Sequence, residues 1–170
     1  MKKYILILLF SFIISNDEKL LVLKPQADLK GGYLKYDDIE TINVLFVDAF
    51  RTHSNQSIIE NVDNYSCYSM ECGIELAINL GADEVVISKI RVLGSKIIFT
   101  GIIFDNIGKN DFNSKITVDS VEDMDKAAVR LAISLIEREA IEETAHVDNI
   151  VENESEERTR RKAIYKYGLS

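Results

Sequence analysis

The chain has 170 residues, 46% of them hydrophobic and 28% charged, with one proline, no tryptophan and two cysteines. That composition describes one ordinary globular domain with segments attached at its ends, and it excludes a disordered chain, a collagen-like repeat and a disulfide-dense mini-protein. With 28 Asp and Glu against 20 Lys and Arg, the formal charge of -8 counts against nucleic-acid binding, because phosphate neutralisation needs a basic face.

At the amino terminus, Met1-Lys2-Lys3 precedes an apolar run from Tyr4 to Ile14, closed by Ser15-Asn16-Asp17-Glu18. A helix that spans the hydrocarbon core needs about 20 apolar residues, so this run has the length of a signal-peptide h-region behind a basic n-region. Residues 1–15 are therefore expected to be a cleaved signal peptide, with an uncleaved anchor as the alternative. No cysteine lies near the junction, so lipid attachment there is not expected, and no second segment is long and apolar enough to span a membrane. The expected location is the periplasm.

Lys19-Leu20-Leu21-Val22-Leu23-Lys24-Pro25 predicts a short strand stopped by the proline, which has no N–H for a ladder. A loop with Gly31-Gly32 follows. From Asp37, with Glu40 three residues on as its capping-box partner, Ile39, Ile42, Leu45, Phe46, Ala49 and Phe50 recur at helical spacing to Thr52. Ser57 to Val62 predicts a second strand. Ser69 then caps a helix with Ile74, Ala77, Ile78 and Leu80 on its apolar side, and Gly81 falls where a left-handed helix end belongs.

Asp83 to Leu93 and Lys96 to Phe104 read as two strands joined by Gly94-Ser95, a glycine-first pair suited to a type II′ hairpin turn. Both runs are apolar on both faces over much of their length, which predicts central strands covered at least partly on each side. After a turn at Gly108-Lys109-Asn110, Phe112, Ser114, Ile116 and Val118 alternate with polar residues, as in a half-exposed strand. Asp119 with Glu122 opens the last helix, whose Met124, Ala128, Leu131, Leu135, Val121, Ala132 and Ile136 form a broad apolar stripe. Beyond Arg138 the stripe thins, and the run from Val151 through Glu157 into Arg158-Thr159-Arg160-Arg161-Lys162 has too few apolar groups to offset its ordering entropy. The expected organisation is an α/β domain over residues 16–140 and a charged helix or linker tail over 141–170. Its fold class is α/β (α+β): a mixed sheet with a central antiparallel hairpin, packed by about three helices.

The element order, with Cys67, Cys72, Glu75, Leu80-Gly81-Ala82-Asp83 and Leu93-Gly94-Ser95, resembles the periplasmic α/β domains related to the TolB amino-terminal domain, CsgG and the LpoB-type activators. In those families a Cys-x-x-x-x-Cys helix ending in Leu-Gly-Ala/Val-Asp leads into a valine-rich strand, a Leu-Gly-Ser hairpin and a closing helix. The resemblance covers about Lys19 to Glu137. The chain departs from the pattern before Cys67, where an arginine-bearing stretch is missing, and in lacking a lipobox cysteine. The resemblance implies a non-catalytic adaptor of envelope machinery, with envelope proteins as partners and peripheral association with a membrane surface left open.

In an oxidising compartment Cys67 and Cys72 read as a structural disulfide, with a thiol-redox pair at a helix start as the alternative enzyme reading. A metal site needs more ligands than these cysteines, and His53 and His146 stand apart from them, so no cofactor or metal is expected. Nothing pairs two carboxylates for acid-base work, and Gly31-Gly32 lacks the lysine-serine or three-glycine pattern of a phosphate loop. Loops on a rigid sheet commonly carry recognition, which makes Gly31, Gly32, Tyr33, Gly94 and Ser95 the candidate partner-binding residues. A third reading makes the chain the first domain of a larger membrane-associated protein.

Overall fold

The computed structural model describes residues 17–27, 34–60, 67, 69–145 and 151. The expected signal peptide, Gly31, Gly32, Tyr33, Asn61, Val62, His146 and the tail from 152 lie outside the described residues. Strand β1 (Lys19–Val22) is followed by β2 (Gln26–Ala27), helix α1 (Tyr36–His53), β3 (Ser57–Glu60), α2 (Met70–Leu80), β4 (Glu84–Leu93), β5 (Lys96–Asp105), β6 (Phe112–Val118) and α3 (Met124–Glu137). The strands form one six-stranded mixed sheet in the order β3-β1-β4-β5-β6, with β2 also on β4. β1 runs parallel to β3 and β4, while β4, β5 and β6 are antiparallel neighbours. The α/β class with a central antiparallel hairpin and three helices is the one read from the sequence.

Alternation along the strands divides the core in two. Leu20, Val22, Val86, Ile90, Phe99 and Ile103 face α1 and α3. Leu21, Leu23, Val85 and Phe104 face the other way, toward Ala77 of α2. Where α2 covers the second face, β4 and β5 are buried on both sides and apolar at consecutive positions, as at Val85-Val86 and Ile103-Phe104. Toward the hairpin burial alternates, with Ile90 and Phe99 inside and Lys89, Arg91 and Thr100 on the face that α2 leaves uncovered. On the first face Phe46 stacks edge-on against Phe50 and tilts against Phe99, each pair of ring centroids 5.0 Å apart. On the second face Gly73 lets α2 lie close, because a Cβ there would stand 2.9 Å from Phe104 Cζ.

As expected, the first strand is short and ends ahead of Pro25, at Val22; the two-residue β2 beyond the proline, beside Lys89 and Ile90, is an addition to the expected elements. Three local expectations are corrected. α1 begins one residue before Asp37, and the capping carboxylate is Asp38, which accepts from the Lys35 N–H at 2.7 Å. α3 begins at Met124 behind Asp123, because Asp119 is engaged by Lys96 at the end of β6 and a turn from Val121 to Met124 intervenes. Ile78 and Leu80 are 63% and 45% exposed, so α2 buries Gly73 and Ala77 against the sheet and turns part of its apolar stripe outward.

The end of α2 follows expectation: the Ser69 side chain accepts from the Cys72 N–H, and Gly81 closes the helix at φ 66°. At the hairpin Gly94 has φ 63° while Ser95 does not share the left-handed region, as a glycine-first turn requires. Past α3, Thr144 and Val151 are buried, and the fully buried Arg130 donates through Nη2 to the Ile141 carbonyl at 2.7 Å. Apolar packing thus continues past residue 140.

Candidate functional site

The entry to α2 is held by two devices placed on top of each other. Cys67 and Cys72 form a disulfide with Cα atoms 5.6 Å apart, and Ser69 between them caps the helix, its Oγ accepting from the Cys72 N–H at 3.3 Å. Cys67 is 5% exposed and belongs to the apolar cluster under α2. Closing so small a loop stabilises by about 2 kcal/mol in the chain-entropy account. It also fixes how the incoming chain meets the helix. The Glu71 carboxyl in the first turn is held below its ordinary value by its own backbone N–H and, less strongly, by the Ser69 hydroxyl.

A second constellation sits at the Glu84 end of the β4–β5 ladder. Glu84, Asn110, Asp111, Phe112 and Arg138 line an open cleft of about 470 Å³. Arg138 closes α3 at φ 54° and Asn110 ends the β5–β6 turn at φ 52°; among the described residues these are the non-glycine positions with positive φ. Arg138 Nη1 donates to the Asn110 carbonyl at 2.9 Å, and its Nη2 pairs with Glu84. The other Glu84 oxygen accepts from Gln56 Nε2 at 2.8 Å. Asp105 receives the Lys109 N–H at 2.6 Å and Asn110 Nδ2 at 3.0 Å. One guanidinium therefore ties the end of α3 to the β5–β6 turn and the start of β4, and through Gln56 to the α1–β3 turn. Left-handed residues persist where surrounding contacts over-determine them, and these bonds do so here. The arrangement holds chain segments in place relative to one another.

A third contact joins the first strands to α1. Lys24 pairs with Glu40, and its ammonium lies 5.0 Å from the centroid of the Tyr36 ring. The Glu40 hydrogen bond raises the Lys24 pKa, and the same bond lowers that of Glu40.

The sequence-derived partner residues Gly94 and Ser95 form the exposed hairpin tip, next to Leu93, which is 71% exposed. The tip and the cleft lie at opposite ends of a ladder of ten residue pairs, about 30 Å apart. The structure therefore does not bring the tip together with the Glu84 cleft, while Gly31, Gly32 and Tyr33 lie outside the described residues. His53 is exposed at the last position of α1, and among the described residues no group of three or more His, Cys, Asp or Glu could hold a metal ion. Sequence reasoning missed Glu84, Arg138 and Gln56, which are separated by 28 and 54 positions and carry no local pattern. The one available signal was the turn residue Asn110, a type that tolerates the left-handed region.

No protein-family model matches the chain, and no curated protein matches it. Solved structures do resemble it. The LpoB C-terminal domain from Escherichia coli is 14% identical, with 60% of this chain and 82% of that one covered at a TM-score of 0.45. The lipoprotein GNA1162 from Neisseria meningitidis is 11% identical over 60% of this chain and 80% of that one, at a TM-score of 0.41. TolB from Acinetobacter baumannii is 12% identical over 69% of this chain but only 28% of that one, at a TM-score of 0.41. LpoB and TolB are also among the families that the sequence resembles.

Proposed function

We propose that the chain is a non-catalytic binding and assembly module of a bacterial cell envelope, exported to the periplasm and working through contacts with envelope proteins. The observation that carries this reading is the Cys67–Cys72 disulfide. Such bonds persist in oxidising compartments and are rare where glutathione keeps thiols reduced. The basic and apolar run over residues 1–15 points to the same compartment. Among the described residues no helix is long and apolar enough to cross a membrane. The thiol-redox alternative is weakened by the burial of Cys67, because exchange requires a thiolate to reach a disulfide sulfur in line.

The test expresses the full chain with its own amino terminus, fractionates the cells, and measures the mature mass, the thiol state and the proteins crosslinked to it. A periplasmic species beginning near Asn16, alkylated at cysteine only after reductant and crosslinked to envelope proteins, is the expected result. A cytoplasmic protein with freely alkylated cysteines overturns the reading.

A further inference from the structure

The face of the sheet that carries α2 is covered by that helix at one end, and the rows beyond it form a basic surface. The strand register sets Lys89, Thr100 and Lys115 side by side across β4, β5 and β6, with Arg91, Ile98 and Thr117 as the next row. All six share the face of Val85 and Phe104, by the alternation of side chains along each strand. Lys89 and Arg91 are two apart on one strand, and Lys115 lies two strand spacings away, about 10 Å. Among the described residues none of the three cations has an ion-pair partner, whereas Lys96 beside them is held by Asp119 at 2.7 Å. Like charges this close repel, and in a chain of net charge -8 their convergence on one face needs an explanation. Leu93, 71% exposed, ends the patch at the hairpin tip.

The same face supplies the complement. Glu71, Glu75 and Ile78 recur at helical spacing on the side of α2 opposite Gly73 and Ala77, so two carboxylates and a 63% exposed isoleucine point outward. An acidic, apolar ridge thus stands beside a basic, apolar plane. A surface whose two halves complement each other matches its own copy after a half turn, because each ridge then meets the other copy's plane and both contacts form at once.

We infer that a second copy of this chain packs on this basic plane, in a twofold face-to-face dimer in which Glu71, Glu75 and Ile78 of each α2 pack on Lys89, Arg91, Lys115 and Ile98 of the partner. The arrangement lays two helices between two sheets and closes at two copies. It stands whatever envelope component the module serves. The eleven residues of α2 span about 16 Å and the three strands about 15 Å, so the contact lies at the small end of specific interfaces and depends on charge.

The experiment measures the mass of the full chain in solution across concentration, by sedimentation equilibrium, in low and high salt. A dimer that dissociates as salt rises is expected. Reversing the plane (Lys89→Glu with Arg91→Glu) or the ridge (Glu71→Lys with Glu75→Lys) weakens it at least about tenfold, because like charges then face each other. An equimolar mixture of the two variants restores a dimer, since each then offers what the other lacks; circular dichroism and the intact disulfide confirm that both are folded. A chain that stays monomeric at all concentrations, a dimer indifferent to both reversals, or open-ended assemblies overturn the inference. So does a monomer that binds phosphatidylglycerol vesicles through Lys89 and Arg91, which would assign the plane to a membrane surface.

Discussion

Substituting Gly101 by alanine tests how closely α3 sits on the sheet. Gly101 lies in mid-β5 on the face toward α3, and a Cβ there would stand 2.6 Å from Leu135 Cδ1 and 3.5 Å from Leu131 Cδ2. Both leucines are fully buried, so neither side chain can swing into solvent to make room. Two effects oppose each other. Stiffening the unfolded chain stabilises by about 0.4–1 kcal/mol. Overpacking costs about 1–3 kcal/mol, because a well-packed interior relaxes only partly. The steric effect wins, and Gly101→Ala is expected to destabilise by about 1 kcal/mol. Leu135→Ala alone costs about 2–5 kcal/mol through lost burial and the cavity it leaves. In that background the added methyl enters empty space, so Gly101→Ala becomes stabilising and the sign of its effect reverses. Urea unfolding followed by far-ultraviolet circular dichroism measures both values, which suits a chain without tryptophan. A neutral or stabilising Gly101→Ala in the parent chain, or the same sign in both backgrounds, refutes the close approach.

At Arg138, with φ 54°, Arg138→Gly and Arg138→Ala both remove the Glu84 pair and the bond to the Asn110 carbonyl, so they differ only in backbone cost. Arg138→Gly should be the more stable of the two by about 1 kcal/mol, and an equal or more stable alanine variant in urea unfolding would contradict a left-handed helix end. Glu40 has its pKa depressed from 4.5 mainly by the hydrogen bond from Lys24, so its contribution is complete above that value and lost as pH falls through the folded-state pKa. Glu40→Gln is accordingly expected to cost up to about 1 kcal/mol at neutral pH, limited by solvent screening of this exposed pair, with the deficit closing in acid and in high salt. Unfolding midpoints of both proteins across pH check this; a deficit that persists in acid rules out the charge pair as its source.

The legible parts of the chain are those whose signal is local. Ser69 and Gly81 bracket α2 correctly because a capping hydroxyl and a left-handed glycine act on the nearest turn. Gly94 marks the hairpin for the same reason, and the alternation from Phe112 to Val118 matches an edge strand with one face against α3. The misplaced starts of α1 and α3 show the limit of such signals. Asp37 and Asp119 both look like caps, but a carboxylate already drawn to Lys96 is not available to begin a helix.

The sequence by itself determined the element types and the pairing partners of the hairpin, since side-chain period and turn chemistry are properties of neighbours along the chain. It determined that Cys67 and Cys72 could meet, five positions apart. Only the tertiary structure decided that Glu84 and Arg138, 54 positions apart, share one cleft, that Ile78 faces outward, and that three cations from two strands converge on one surface. Those outcomes depend on strand order and on where α2 crosses the sheet. Both are set by packing over the whole core, a sum of many weak non-local contacts that no short stretch of residues encodes.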